Sequence, residues 1–132
     1  MFGTRRKTFW VLAVTLVLGL VAAGCGSSNK SSGGGSGGKI ALLLPETKTA
    51  RYETQDRPIF EKKVKELCSS CSILYSNADQ DPAKQQSQAE AALTQGAKVL
   101  VVDAVDAASA ASIVTKAKAQ KVPVISYDRL IT

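Results

Sequence analysis

The stretch DPAKQQSQAEAALTQGAKVLVV, residues 81–102, decides the fold class. Asp81 stands where a helix N-cap belongs, and Pro82 follows at the first helical position, where its missing N–H costs little. Ala83, Gln86, Ala89, Ala92 and Leu93 then recur at helical spacing, and Gly96 supplies a stop. Val99 to Val102 is an unbroken, strongly β-branched apolar run. Such a run reads as a strand buried on both faces. A strand of this kind, fed by an amphipathic helix, is a unit of a parallel sheet with helices packed on it.

The same rhythm continues in both directions. Upstream, Ile40 to Leu44 is a continuous apolar run ended by Pro45. Ile59, Phe60, Val64 and Leu67 recur at helical spacing, which predicts a helix over about Asp56 to Leu67 with Pro58 in its first turn. Ser72 to Ser76 is a second short strand, and Asn77 to Asp81 a turn. Downstream, Asp106 is expected to cap a helix whose buried face is Ala110, Ile113, Val114 and Ala117. Val122 to Ser126 is a fourth strand. The expected class is α/β: β-α-β-α-β-α-β, a parallel sheet with flanking helices and right-handed crossovers.

The residues before this unit read differently. Arg5, Arg6 and Lys7 precede an apolar run from Phe9 to Ala23, which is short for a membrane span of about 20 residues. It ends in Ala22-Ala23-Gly24-Cys25, which resembles the lipobox of bacterial lipoproteins, with Ala22 where a larger aliphatic residue is usual. An uncleaved signal anchor is the alternative. Thr4-Arg5-Arg6 leaves the twin-arginine route open beside the general one. Gly26 to Gly38 is a Gly/Ser tether with nothing to bury, reaching about 20 Å as a flexible coil. The expected organisation is a lipoprotein signal peptide over 1–24, lipidated Cys25 with its tether over 25–38, and a folded unit over 39–132. It places the protein on the outer face of the cytoplasmic membrane, held there by lipid.

Composition narrows the function. The net charge is +6, but three of the 17 basic residues belong to the signal, leaving 14 against 11 acidic ones. That excess is spread without a cluster, so no nucleic-acid footprint is visible. Histidine is absent, which removes the commonest general base and metal ligand. No G-x-G-x-x-G or P-loop lysine pattern follows a strand. No cofactor, metal site or nucleophile–base pair is implied. Cys68 and Cys71 lie after a helical stretch and before a strand, rather than opening a helix as thioredoxin-like pairs do. A structural disulfide pinning a turn is the favoured reading; free thiols or a redox pair are the alternatives.

In open parallel sheets, ligands sit beyond the carboxyl ends of the strands. The loops there are Pro45 to Tyr52, Asn77 to Asp81, Asp103 to Asp106, and Tyr127 to Arg129. Arg51 with Tyr52, and Asp128 with Arg129, supply planar charged groups that bond neighbouring hydroxyls and an aromatic face for an apolar ring side. The bland alternatives are a solvated loop charge at Arg51, a helix cover at Tyr52, and a local ion pair between Asp128 and Arg129. Asp103 either lines the rim or bonds nearby backbone. Asp79, Asp81 and Asp106 read as turn and cap residues.

Several stretches together resemble the type I periplasmic sugar-binding proteins of ABC importers, above all the D-xylose-binding branch. They are KIALLL (39–44), ARYETQDR (50–57), FEKK (60–63), NADQD (77–81), KQQSQAE (84–90), GAKVLVV (96–102) and VISYDRLI (124–131). The resemblance implies the first part of the N-terminal lobe of that fold. It implies that Arg51, Asp128 and Arg129 bind the ligand, and that Tyr52 falls where a bordering tryptophan is common. Tyr offers a smaller stacking face there. The loop from Asp103 to Asp106 departs from the usual Pro-containing one, so no role is carried to it. Such a protein is no enzyme: it is a monomer that captures a xylose-like monosaccharide and delivers it to a membrane permease. With one wall of a two-lobed cleft, the chain as given is expected to bind sugar weakly or not at all. An inactive fragment of a truncated gene is the alternative, and a Cys-x-x-Cys redox protein a more distant one.

Overall fold

The computed structural model describes residues 37–132. The signal segment, Cys25 and the tether up to residue 36 lie outside the described residues. Four strands follow the four apolar runs: β1 (Lys39–Leu44), β2 (Ser72–Asn77), β3 (Ala97–Val102) and β4 (Val124–Ser126). Between them run α1 (Arg57–Leu67), α2 (Pro82–Thr94) and α3 (Ala111–Ala119). Every strand pairing is parallel, and the order across the sheet is β2-β1-β3-β4. The α/β class expected from the sequence is therefore the class observed. From β1 the chain steps outward to β2, then crosses back over β1 to β3 and on to β4. The direction of winding reverses between β1 and β3, and a crevice opens beyond their carboxyl ends at such a point.

β1 shows why these strands had to be central. Its side chains alternate between two separate cores. Ala41 and Leu43 join Ala89, Ala92 and Leu93 of α2 and Ile113 and Ala117 of α3. Leu42 and Leu44 face the other way, onto Tyr52 and Val101, with Phe60 of α1 packed against them. Leu42, Leu43 and Leu44 are all almost wholly excluded from water. Each such leucine contributes about 1.5–3 kcal/mol relative to an exposed one.

The helix ends follow local chemistry. Asp81 Oδ1 accepts from the amides of Ala83 at 2.8 Å and Lys84 at 3.1 Å, satisfying two donors of the first turn of α2. Gly96 ends it at φ +85°, a conformation open to glycine and strained for side-chain-bearing residues.

Three local expectations shift. The buried side of α2 is Gln85, Ala89, Ala92 and Leu93. Gln85 takes the place expected for Gln86 because its amide is satisfied inside: Nε2 donates to the Asp103 carbonyl (2.7 Å), and Oε1 accepts from Val105 N–H (3.0 Å). Asp106 closes the turn before α3, accepting from Ser109 N–H at 2.7 Å, and regular helix begins only at Ala111. Finally, α1 is preceded by a π-helical segment, Tyr52–Asp56, continuous with it. Asp56 is thus an interior helical residue, and its carboxylate meets Arg51 instead of an amide. Along α1, Phe60 and Val64 are partly covered, whereas Ile59 and Leu67 are exposed. Ile59 lies about 100° round the helix from Phe60, and Leu67 is its last residue.

The structure joins Cys68 and Cys71 in a disulfide. It sits between the end of α1 and the start of β2, at the amino ends of the strands. That is the end of the sheet away from the crevice, so the pair pins a corner and contributes nothing to the rim.

Candidate functional site

The loop after β1 is built around Glu46. Its buried carboxylate accepts from Lys48 N–H at 2.7 Å and Thr49 N–H at 3.1 Å, and also from the Thr49 hydroxyl. The Thr49 hydroxyl, followed by those amides, holds the Glu46 carboxyl below the usual carboxylate range. Tyr52 N–H then bonds the Thr49 carbonyl at 3.1 Å and starts the π-helical segment. Glu53 anchors that segment to β2: Tyr75 donates its hydroxyl to Glu53, and Arg57 bridges Glu53 and Glu61 while lying 3.8 Å over the Tyr75 ring. The π-helical segment opens on Tyr52, directly after Arg51, and both side chains reach the loop after β4.

After β4, Tyr127 N–H continues the ladder to the Val102 carbonyl at 2.9 Å. Asp128 then adopts φ +57°, and Arg129 N–H closes back on the Tyr127 carbonyl at 2.6 Å. This is a γ-turn of the strained, positive-φ kind, in which aspartate is better tolerated than most residues. It turns the Asp128 and Arg129 side chains together onto the rim.

The four sequence-predicted residues meet there. Arg51 Nη2 lies 2.8 Å from Asp128 Oδ1, and Arg51 Nε lies 3.1 Å from Asp56 Oδ2. The Tyr52 hydroxyl donates to Asp128 Oδ2 at 3.3 Å and accepts from Arg129 Nη2 at 3.2 Å. Arg129 Nη1 donates to the Ala104 carbonyl at 2.9 Å. Arg51, Asp128 and Arg129 are between one-third and one-half exposed, so their polar edges face outward. Tyr52 differs: it is 3% exposed. Its ring fills the core beneath Arg51, whose guanidinium sits 5.2 Å from the ring centroid. In this structure its hydroxyl reaches the rim and its faces do not.

Asp103, left open by the sequence, proves central. It follows β3 directly and is fully buried, with its N–H bonded to the Leu43 carbonyl at 3.0 Å. Neither carboxylate oxygen accepts a well-formed hydrogen bond among the described residues. Arg129 Nε stands 3.5 Å from Asp103 Oδ1. Burial pushes the Asp103 carboxyl up to about 6, although the Tyr52 hydroxyl and the Arg129 charge pull the other way. Burial, and then the Asp103 charge, push the Tyr52 phenol up to about 12. The only signal for Asp103 in the sequence was its place immediately after a buried strand. Asp56, the second carboxylate on Arg51, gave none, because it read as the start of a helix.

Two guanidinium groups and a carboxylate thus present donors and acceptors side by side, above an apolar floor and a buried counter-charge. Paired donors and acceptors of this kind suit holding a neutral, hydroxyl-rich molecule.

Residues 40–132 match the family described as "Periplasmic binding protein domain". The multiple sugar-binding periplasmic receptor ChvE of Rhizobium radiobacter is 32% identical over 94 residues, covering 71% of this chain and 26% of its own length. The D-xylose-binding periplasmic protein of Escherichia coli (strain K12) is 29% identical over 93 residues, covering 70% and 27%. Among solved structures, an ABC transporter solute-binding protein from Clostridium phytofermentans with bound β-D-glucose superposes with a TM-score of 0.65 at 29% identity. That match covers 70% of this chain and 28% of the other. The chain spans about a quarter of the length of these curated relatives.

Proposed function

Because the chain belongs to the periplasmic binding protein domain family, we propose that it acts as the sugar receptor of an ABC importer. In this reading Arg51, Asp128 and Arg129 form one wall of the cleft, and the ligand is D-xylose or a related monosaccharide. The observation that carries it is the convergence of these groups at the carboxyl ends of β1 and β4, around the point where the winding reverses. Pyranoses and furanoses offer neighbouring hydroxyls at fixed spacing. A guanidinium beside a carboxylate meets such a pair with one donor fork and one acceptor. The ion pairs now within the rim are the groups a ligand would share, so the wall is set before it binds. Selectivity among sugars of similar shape follows from how many of these polar groups are satisfied at once.

The family binds solutes rather than transforming them, and the chain is no enzyme. The described residues supply one wall, and a two-walled cleft needs a second, of which they hold none. A membrane permease is the proposed partner. Lipid at Cys25 and the Gly/Ser tether are proposed to hold the receptor, as a monomer, near that permease on the outer face of the membrane.

Calorimetric titration of the full-length protein with D-xylose, D-glucose and myo-inositol tests the reading. Arg51→Ala and Asp128→Ala should each weaken the preferred sugar by about tenfold or more, the loss of one charge-assisted contact. Equal affinity of parent and both variants would refute the site.

A further inference from the structure

Arg129 and Asp128 are adjacent in the chain and opposite in charge, yet they do not pair with each other. Asp128 is taken by Arg51 at 2.8 Å, and the γ-turn at Asp128 fixes its direction. The Arg129 guanidinium is held in three places: by the Ala104 carbonyl, by the Tyr52 hydroxyl, and beside Asp103. The first two are neutral acceptors that set its plane. Among these three contacts only Asp103 is a counter-charge. Its backbone is fixed independently, by Leu43 of β1 and by Gln85 of α2, so the carboxylate cannot follow Arg129 if Arg129 moves. Both Asp103 oxygens are buried below the rim, out of reach of a ligand on the surface.

We propose that Asp103 is a positioning residue for ligand capture, a buried counter-ion that holds Arg129 apart from Asp128 so that the rim presents them as two separate groups. The proposal rests on the sugar-receptor reading for its binding consequence, though not for its geometry. The charged and titratable groups around Asp103 are Tyr52 from the π-helical segment, Arg129 and Asp128 from the loop after β4, and Arg51 farther off. From α2, Gln85 faces its backbone alone. A carboxyl with an ordinary value would stay charged throughout the mildly acidic range. This one is raised by burial to about 6. As pH falls through that value Asp103 takes up a proton, and, with Glu46 acting on it only through space, Arg129 loses the one carboxylate among its three contacts. It is then free to turn onto Asp128 and close the rim on itself.

Two measurements on the full-length protein test this. In the first, affinity for D-xylose and D-glucose is followed by calorimetry from pH 5 to 8 for the parent, Asp103→Asn and Asp103→Glu. The parent should lose about tenfold in affinity as pH falls through 6, and Asp103→Asn should be weak and flat across the range. Asp103→Glu should keep a pH-dependent profile. A variant Asp103→Asn that binds as the parent does at pH 7.5, or keeps the parent's profile, overturns the proposal. The second is the Arg129 Nε–H signal in NMR spectra without sugar. It should titrate with a midpoint near 6 in the parent and stay fixed in Asp103→Asn. If the parent binds neither sugar, the receptor reading fails and this signal alone decides the positioning role. If Asp103→Asn does not fold, the parent's signal still decides, and its failure to move between pH 5 and 8 refutes the proposal.

Discussion

Tyr52 separates two accounts of the rim, because its ring and its hydroxyl do different things. The ring is 3% exposed and packs with Leu42, Leu44 and Val101, while the hydroxyl joins Asp128 and Arg129 at 3.3 and 3.2 Å. Tyr52→Phe removes only the hydroxyl. Asp128 keeps Arg51, Arg129 keeps the Ala104 carbonyl, and the buried Asp103, whose charged form the Tyr52 hydroxyl also favours, keeps Arg129 at 3.5 Å. Hydrogen bonds to charged groups contribute about 1.5–3 kcal/mol when well formed; these are long, so about 1–2 kcal/mol is expected for the pair. Tyr52→Ala also empties the ring's volume, and aromatic-to-alanine changes in a core cost about 3–5 kcal/mol. The assay is urea unfolding of parent and both variants at pH 7.5, read by circular dichroism with the slope compared across the set. The Phe variant should lose the smaller amount, the Ala variant the larger, at an unchanged slope. If Tyr52→Ala cost less than about 1 kcal/mol, the ring would not be a core residue and the reasoning fails.

Asp103 makes stability fall with rising pH in the mildly acidic range, whereas the lowered carboxyls of Glu46, Glu90 and Asp106 act the other way at lower pH. Its folded carboxyl is raised, so between about 4 and 6 the folded state holds a proton that the unfolded chain has released, and stability falls as pH rises through that window. The shift of about two pH units corresponds to at most about 3 kcal/mol. Asp103→Asn should therefore flatten the curve of urea midpoint against pH and be the more stable protein at pH 7, even while it binds sugar less well. Reducing the Cys68–Cys71 bond, or replacing both by serine, should cost about 2 kcal/mol, as closure of so short a loop implies, and an unchanged thermal midpoint would count against the clamp. Asp81→Ala should cost about 1 kcal/mol and Asp81→Asn much less, since two amides of α2 bond that side chain. Gly96→Ala should cost about 1–2 kcal/mol through its φ of +85° alone, because a Cβ there meets nothing within 4 Å.

Much of the fold could be read before any coordinates. Unbroken apolar runs located β1 and β3, because a strand covered on both faces has no polar side to show, and shorter mixed runs located the outer strands β2 and β4. Asp81, Pro82 and Gly96 marked the ends of α2, since each acts on amides or carbonyls within four residues of itself. The loops that form the rim were also visible, as the carboxyl ends of those strands. Less could be read where a helix departs from 3.6 residues per turn. The π-helical segment at Tyr52–Asp56 rests on Glu53 meeting Tyr75 and Asn77, more than twenty residues on. Gln85 reads as a surface residue until Asp103 and Val105 are placed against it.

By itself, then, the sequence determined the parallel α/β class, the two ends of α2 and the positions of Arg51, Tyr52, Asp128 and Arg129 at strand ends. Those features depend on side-chain period and on bonds between near neighbours. Only the tertiary structure decided that β1 lies between β2 and β3, and with that order everything the rim is made of. It brought Tyr52 within reach of Asp128 and Arg129, 76 and 77 residues away, and turned its ring inward and its hydroxyl out. It also sank Asp103 beneath Arg129. A carboxylate's charge state and role depend on how much water its neighbours exclude, and those neighbours are chosen by the sheet and not by the chain on either side of it.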